Sequence, residues 1–225
     1  MNQIPGDVLK NIIDDPIEYK LVIAKHFLDK ISLNIPKENS FEYFILETNI
    51  DAFLFFATNV IDIIKIEINN KFDLFDKENI FYIHGIRKKL DSHGVQKQIK
   101  DIIARYFSTP TYYEQLNTDT NFRSSIHNHG SIDVVNSSLW ELQTLRNKAI
   151  HGKMLNITSK HKIRFDFTIR DPKNNRTAYQ DIIDNPRKYF TSIFENLVQF
   201  VEQIRLLNPQ KIQTSYYKQI DFRLE

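Results

Sequence analysis

From Ser40 to Phe72 the chain runs for about nine helical turns without a glycine or proline. Apolar side chains crowd this stretch: Phe44, Ile45, Leu46, Ile50, Ala52, Phe53, Leu54, Phe55, Phe56, Ala57, Val60, Ile61, Ile63, Ile64, Ile66 and Ile68. Polar residues are sparse but regular, at Glu47, Asp51, Thr58, Asp62, Lys65 and Asn69. A helix this apolar has to be covered on most of its sides. It is therefore expected to be the spine of a helical bundle, or of a bundle plus a dimer interface. Glycine is scarce, at 5 of 225 residues, which opposes a turn-rich all-β fold. The expected fold is mainly α, a helical bundle with an N-terminal helical extension and a small β element near residues 155–170.

The flanking segments fit that frame. Ile17, Leu21, Val22, Ala24, Phe27, Leu28 and Ile31 keep helical spacing behind Pro16, a good helix starter. Residues 34–39 read as a linker. Glu78 to Leu90 and Gln96 to Phe107 predict two further helices, broken near His93 and Gly94. Tyr112 to Asp133 is polar and reads as a long loop. Ser138 to Glu141 matches a capping box, opening a helix that Gly152 closes. Leu142, Leu145 and Ala149 form its core stripe. Beyond it the period falls to two: Ile163, Phe165, Phe167 and Ile169 alternate with Arg164, Asp166, Thr168 and Arg170. That is a half-buried strand, expected to pair with Leu155–Thr158 or with Tyr216–Leu224. Asp171 to Asn175 reads as a turn, and Pro186 starts a last helix to about Leu207. The whole is taken as one domain over 1–225, with an extension at 1–39, a bundle core with a β insertion at 40–207, and a tail at 208–225.

Composition narrows the chemistry. Thirty Lys+Arg stand against 28 Asp+Glu, so any nucleic-acid site must be a local patch and not a global field. There is no cysteine, which removes disulfides, thiol catalysis and Cys-based zinc sites. No glycine-rich phosphate loop occurs. The N-terminus lacks a signal-peptide pattern, and no uninterrupted apolar run reaches ~18 residues. A cytoplasmic protein without membrane or cofactor partners is the expectation.

Against that background one segment carries chemistry: Leu145-Arg146-Asn147-Lys148-Ala149-Ile150-His151-Gly152. Arginine holds phosphate, and histidine moves a proton near neutral pH. On a helix Asn147 and His151 lie ~40° apart, with Arg146 beside them, so the three are expected to project together away from the core stripe. A second Arg/His segment, Arg123 to His129, has no helical periodicity and reads as loop.

The segment Leu142 to Gly152 resembles the R-x4-6-H signature of the HEPN superfamily, in which a polar residue follows the arginine near the end of a bundle helix. The run Glu47-Thr48-Asn49-Ile50-Asp51-Ala52-Phe53 resembles the Asn-x-x-Ala-Phe helix of stand-alone bacterial members. The likeness covers about Ser40 to Leu207 in architecture and is specific over the single motif. The strand region and the N-terminal extension depart from the minimal four-helix bundle. The resemblance implies a homodimer with two R-x4-H turns across one composite cleft, and a metal-independent endoribonuclease in a toxin or antiviral defence setting. RNA would be the substrate, and an antitoxin or sensor protein a further partner. His151 would act as general base or general acid, Arg146 would bind the non-bridging phosphate oxygens, and Asn147 would orient His151, donate to phosphate or hold the helix end. Lys148 and Lys153 would add positive charge for the RNA backbone. The competing reading is a catalytically inactive HEPN-like dimeric module that binds RNA or a protein.

Weaker candidates complete the inventory. Glu47 and Asp51 are placed either to reach Arg146 or His151, or to cap or salt-bridge within the bundle, the favoured option. His127, His129 and Asp133 make a poor metal set, because no second histidine pair accompanies them. No metal is expected. The many Phe and Tyr follow core spacing and are not expected to form base-stacking platforms.

Overall fold

The computed structural model describes residues 6–75, 83–107, 138–151, 156–157, 162–170 and 176–207. Their order is α1 (Gly6–Asp14), α2 (Pro16–Lys30), α3 (Phe41–Phe72), α4 (Ile83–Lys89), α5 (Gly94–Phe107), α6 (Ser138–His151), β1 (Asn156–Ile157), β2 (Ile163–Arg170), β3 (Arg176–Ile183) and α7 (Pro186–Leu206). The chain is mainly helical, and its helices form a bundle around α3.

Local chemistry sets the boundaries. Asp15 caps α2, its Oδ1 accepting from the backbone N–H of Ile17 at 2.9 Å and of Glu18 at 3.3 Å. Ser40 caps α3 by accepting from the Tyr43 N–H at 3.1 Å. Asp73 ends α3 in the left-handed region, with φ 50°. Just beyond, the buried Asn69 grips the peptide of Phe75 twice, accepting its N–H at 2.9 Å and donating to its carbonyl at 3.0 Å. Asn185 caps α7 through the Lys188 N–H at 2.9 Å.

The core lies where α2, α3, α5, α6 and α7 meet. It is filled by Leu21 and Leu28 of α2, Phe53 and Ile50 of α3, Phe107 of α5, Leu142 and Leu145 of α6, and Phe190 and Phe200 of α7. Each such side chain contributes roughly 1.5–3 kcal/mol of burial. The aromatic members pack edge to face: Phe53 meets Phe190 at 5.5 Å, and Phe107 meets Phe200 at 5.1 Å.

Helices α2 and α7 run antiparallel and are tied at both ends. At one end Arg205 Nη1 donates to Glu18 Oε1 at 2.9 Å and Nη2 to Asp15 Oδ2 at 2.6 Å. At the other, Arg187 Nε donates to the Ile31 carbonyl at 2.6 Å and Nη2 to that of Asp29 at 2.7 Å. The buried Asn49 of α3 takes the Lys30 carbonyl in between at 3.2 Å. Thus the last carbonyls of α2, which a helix leaves without partners, are satisfied by side chains from two neighbours.

The strands form an antiparallel sheet of order β1-β2-β3. β1 pairs with β2 through Asn156↔Arg164 and Ile157↔Ile163, one of the two pairings expected from the sequence. The other, with Tyr216–Leu224, falls outside the described residues, as do the expected loop at 112–133 and the turn at 171–175. β3 was not expected: it pairs along all of β2, from Ile163↔Ile183 to Arg170↔Arg176. Ile163, Phe165 and Ile183 are buried and join the sheet to the helical core.

One expectation about α3 needs correction. Its core face is buried as foreseen, from Tyr43 through Ile50 and Ala57 to Ile68. Its opposite face is open: Phe41 is 73 % exposed, Phe44 59 % and Phe55 48 %, with Ile45 and Ile66 also exposed. These phenylalanines do not follow core spacing. Much of the helix is nonetheless covered on most sides as expected, since between positions 52 and 69 Phe55 and Ile66 alone are exposed, and the open face belongs to the first half of α3. Among the described helices α3 alone is long and apolar enough, by length and composition, to cross a membrane, although 50 % of its most apolar window is buried inside the fold.

Candidate active site at the end of helix α6

Helix α6 packs against α3, α5 and α7, and its sequence explains how. Leu139, Leu142 and Leu145 are fully buried, and Ala149 packs against the core at its edge. The stripe is as expected, with Leu139 added. Glu141 is also buried and accepts a hydrogen bond from Tyr189 Oη of α7 at 3.3 Å. Tyr189 in turn packs on Phe165 of β2 at 5.7 Å. The helix is therefore held in rotation and height by three leucines and one polar contact. A carboxylate one turn before Leu145 was the sequence signal for that contact, because such a position faces the core and demands a partner. The expected cap hydroxyl on Ser138 lies outside the described side chains.

This anchoring fixes where the motif residues leave the helix. Asn147 faces solvent, and the neighbouring Ile150 is 56 % exposed. Arg146 reaches Asn147 from the edge of the core stripe. It follows Leu142 by four residues, ~40° around the helix, so its stem lies along the edge of the core stripe and the residue is half-buried. Its Nε is buried with no acceptor among the described residues. Its Nη1 comes within 3.4 Å of Asn147 Oδ1, a long contact between adjacent residues. No carboxylate among the described residues pairs with the guanidinium. The structure thus brings Arg146 and Asn147 together and leaves the arginine charge without a carboxylate among the described residues. Lys148 is partly buried. His151 is the last residue of α6, and the unbroken helix sets its backbone ~40° from Asn147. Its side chain, and all of Gly152 and Lys153, lie outside the described residues.

The acidic candidates separate from the motif. Among the described residues neither Glu47 nor Asp51 forms an ion pair, with Arg146 or within the bundle. Desolvation by surrounding side chains, with the Glu47 charge second, lifts the Asp51 carboxyl to about 6, although the residue as a whole remains exposed. Asn49, part of the same sequence run, works structurally, as the cap of α2 described above.

No group of three or more His, Asp or Glu able to hold a metal exists among the described residues. His127, His129, Asp133 and Arg123 lie outside them. Comparison with protein-family models, curated proteins and solved structures gave no match to this chain.

Proposed function

We propose that this chain is a metal-independent endoribonuclease of the HEPN type, acting as a homodimer in a toxin or antiviral defence setting. The observation that carries the reading is the Arg146 guanidinium, half-buried beside Asn147 with no carboxylate partner among the described residues, on a helix that is seated by three buried leucines and ends at His151. An arginine placed so is suited to an anion from outside the fold, and a phosphodiester fits its planar donors.

The chemistry uses the substrate's own nucleophile. His151 accepts the proton of a ribose 2′-OH, and the 2′ oxygen attacks the adjacent phosphorus. The bond from phosphorus to the 5′ oxygen breaks, and that oxygen takes a proton from the imidazole of the second copy. The products are a 2′,3′-cyclic phosphate and a 5′-OH. Arg146 binds the non-bridging oxygens and stabilises the charge that builds up in the transition state. Asn147 orients the imidazole or donates to the phosphate, and Lys148 and Lys153 add positive charge along the RNA backbone.

The test is incubation of mixed RNA with the purified protein in EDTA, beside Arg146→Ala and His151→Ala. The wild type is expected to leave cyclic-phosphate ends, and each variant to be slower by about a hundredfold or more. Equal survival of RNA in all three samples would sink the proposal.

A further inference from the structure

The open face of α3 is apolar and anionic at once. Phe41, Phe44, Ile45, Thr48, Asp51, Ala52 and Phe55 recur at helical spacing, so they share one side of the helix over ~21 Å. Phe41 and Phe44 stack on each other at 6.4 Å, which presents a continuous aromatic surface. One flank is closed: Phe56 stacks on Phe27 of α2 at 5.9 Å, with Lys20 Nζ 5.1 Å from its ring centre. The other flank carries Glu47 and Asp51, one turn apart, a like-charge pair that no cation offsets among the described residues. From Phe41 to Phe55 the helix bears Glu42, Glu47 and Asp51 and not a single lysine or arginine; further along, Asp62 is paired with Lys65 of the same helix.

Charge decides what can cover such a face. Nucleic acid and anionic lipid are repelled by its carboxylates. A second copy docked by two-fold symmetry would set Glu47 and Asp51 near an identical acidic face. A helix with apolar residues on one side and lysine or arginine along its edge satisfies both halves: its apolar side covers Phe41, Phe44 and Phe55, and its cations pair with Glu47 and Asp51. We propose that the Phe41–Phe55 face of α3 is the docking surface for a basic amphipathic helix of a partner protein. The inference is independent of the ribonuclease reading, because none of its residues belongs to the α6 motif.

The probe is a fluorescently labelled synthetic peptide of about four helical turns, leucine on one side and lysine along the edges, with a twin carrying glutamate for lysine. Binding to the full chain is followed by anisotropy at about 0.15 M salt. The lysine peptide is expected to bind at least ~10-fold more tightly than its twin. The double variant Phe44→Ser/Phe55→Ser should weaken it by a similar factor, and Glu47→Gln/Asp51→Asn should close the gap between the twins. All four residues are outside the core, and thermal melts check that the variants fold. Equal binding of the two peptides, binding of neither, or indifference to the variants overturns the proposal. So does sedimentation showing that Phe44→Ser/Phe55→Ser dissolves a dimer, which assigns the face to a second copy, or co-sedimentation of the wild type with phosphatidylserine vesicles that the same variant abolishes.

Discussion

Arg205 and Arg146 are the same residue type in one bundle, and their charges are treated differently. Arg205 is buried and meets two carboxylates, on Glu18 and Asp15, across the α2–α7 contact. Arg146 is half-buried and, among the described residues, meets the side chain of Asn147 at 3.4 Å and no carboxylate. Arg187 stands with the first group, since its two bonds go to backbone carbonyls at 2.6 and 2.7 Å. The Nε of Arg205 and that of Arg146 are both buried without an acceptor among the described residues, so the difference lies in the charge. An arginine whose charge meets carboxylates inside the fold helps hold the fold together, and one that meets none among the described residues is available to something else. Asp51 belongs with Arg146 in this division: among the described residues no cation pairs with it, and the Glu47 charge beside it is of its own sign.

The comparison can be broken by stability measurements, and the largest effect is expected at Arg205. Arg205→Ala leaves Glu18 buried without its cation and should cost about 3–5 kcal/mol in urea unfolding. A loss below ~1 kcal/mol would mean that the triad is no structural clamp. Arg187→Ala strands the last carbonyls of α2 but at a wetter site, and about 2 kcal/mol is expected. Asp51→Asn should act in the other direction. The folded carboxyl holds its proton up to about 6, well above the ordinary 3.8, so the folded state binds the proton more tightly than the unfolded one. Stability then falls as pH rises between those values and stays lowered above them. The amide removes that penalty, which solvent screening limits to roughly 1 kcal/mol at pH 7. Thermal melts should show the gain at pH 7 and none at pH 4, and a gain equal at both would remove the titration as its cause. Arg146→Ala is expected to change stability least, by less than ~0.5 kcal/mol. A cost near that of Arg205→Ala would place Arg146 among the structural arginines and remove the support for its role with phosphate.

How far the sequence told this in advance depends on the range of the forces involved. α2, α3, α6 and α7 were legible because spacing and caps are local: Pro16, Ser40 and Pro186 mark starts, and the leucines of α6 declare a buried stripe. β3 was hidden, since Arg176, Thr177, Gln180 and Asp181 give it no clear alternation, and pairing along β2 is what makes it a strand. Arg205 sits one residue beyond Ile204, at the edge of an apolar stripe. Its partners are 187 and 190 residues away, so nothing nearby distinguished it from a solvated side chain. The open face of α3 escaped for a related reason. Hydropathy counts apolar residues, whereas only the neighbouring helices determine which side is covered. At the motif, spacing located Arg146 and Asn147, but the edge position of Arg146 depends on how deeply Leu142 and Leu145 sink into the core.

The two-ended tie between α2 and α7 also sets where this molecule can be cut. A fragment beginning at Ser40 would look, by periodicity, like a complete bundle. It would lack Ile17, Leu21, Ala24 and Leu28 from its interior and would leave the guanidinium of Arg205 embedded without a counter-charge. Anyone shortening the chain for expression, or grafting the α6 motif onto a smaller scaffold, has to carry α2 along or replace both arginines with apolar residues that close the gap.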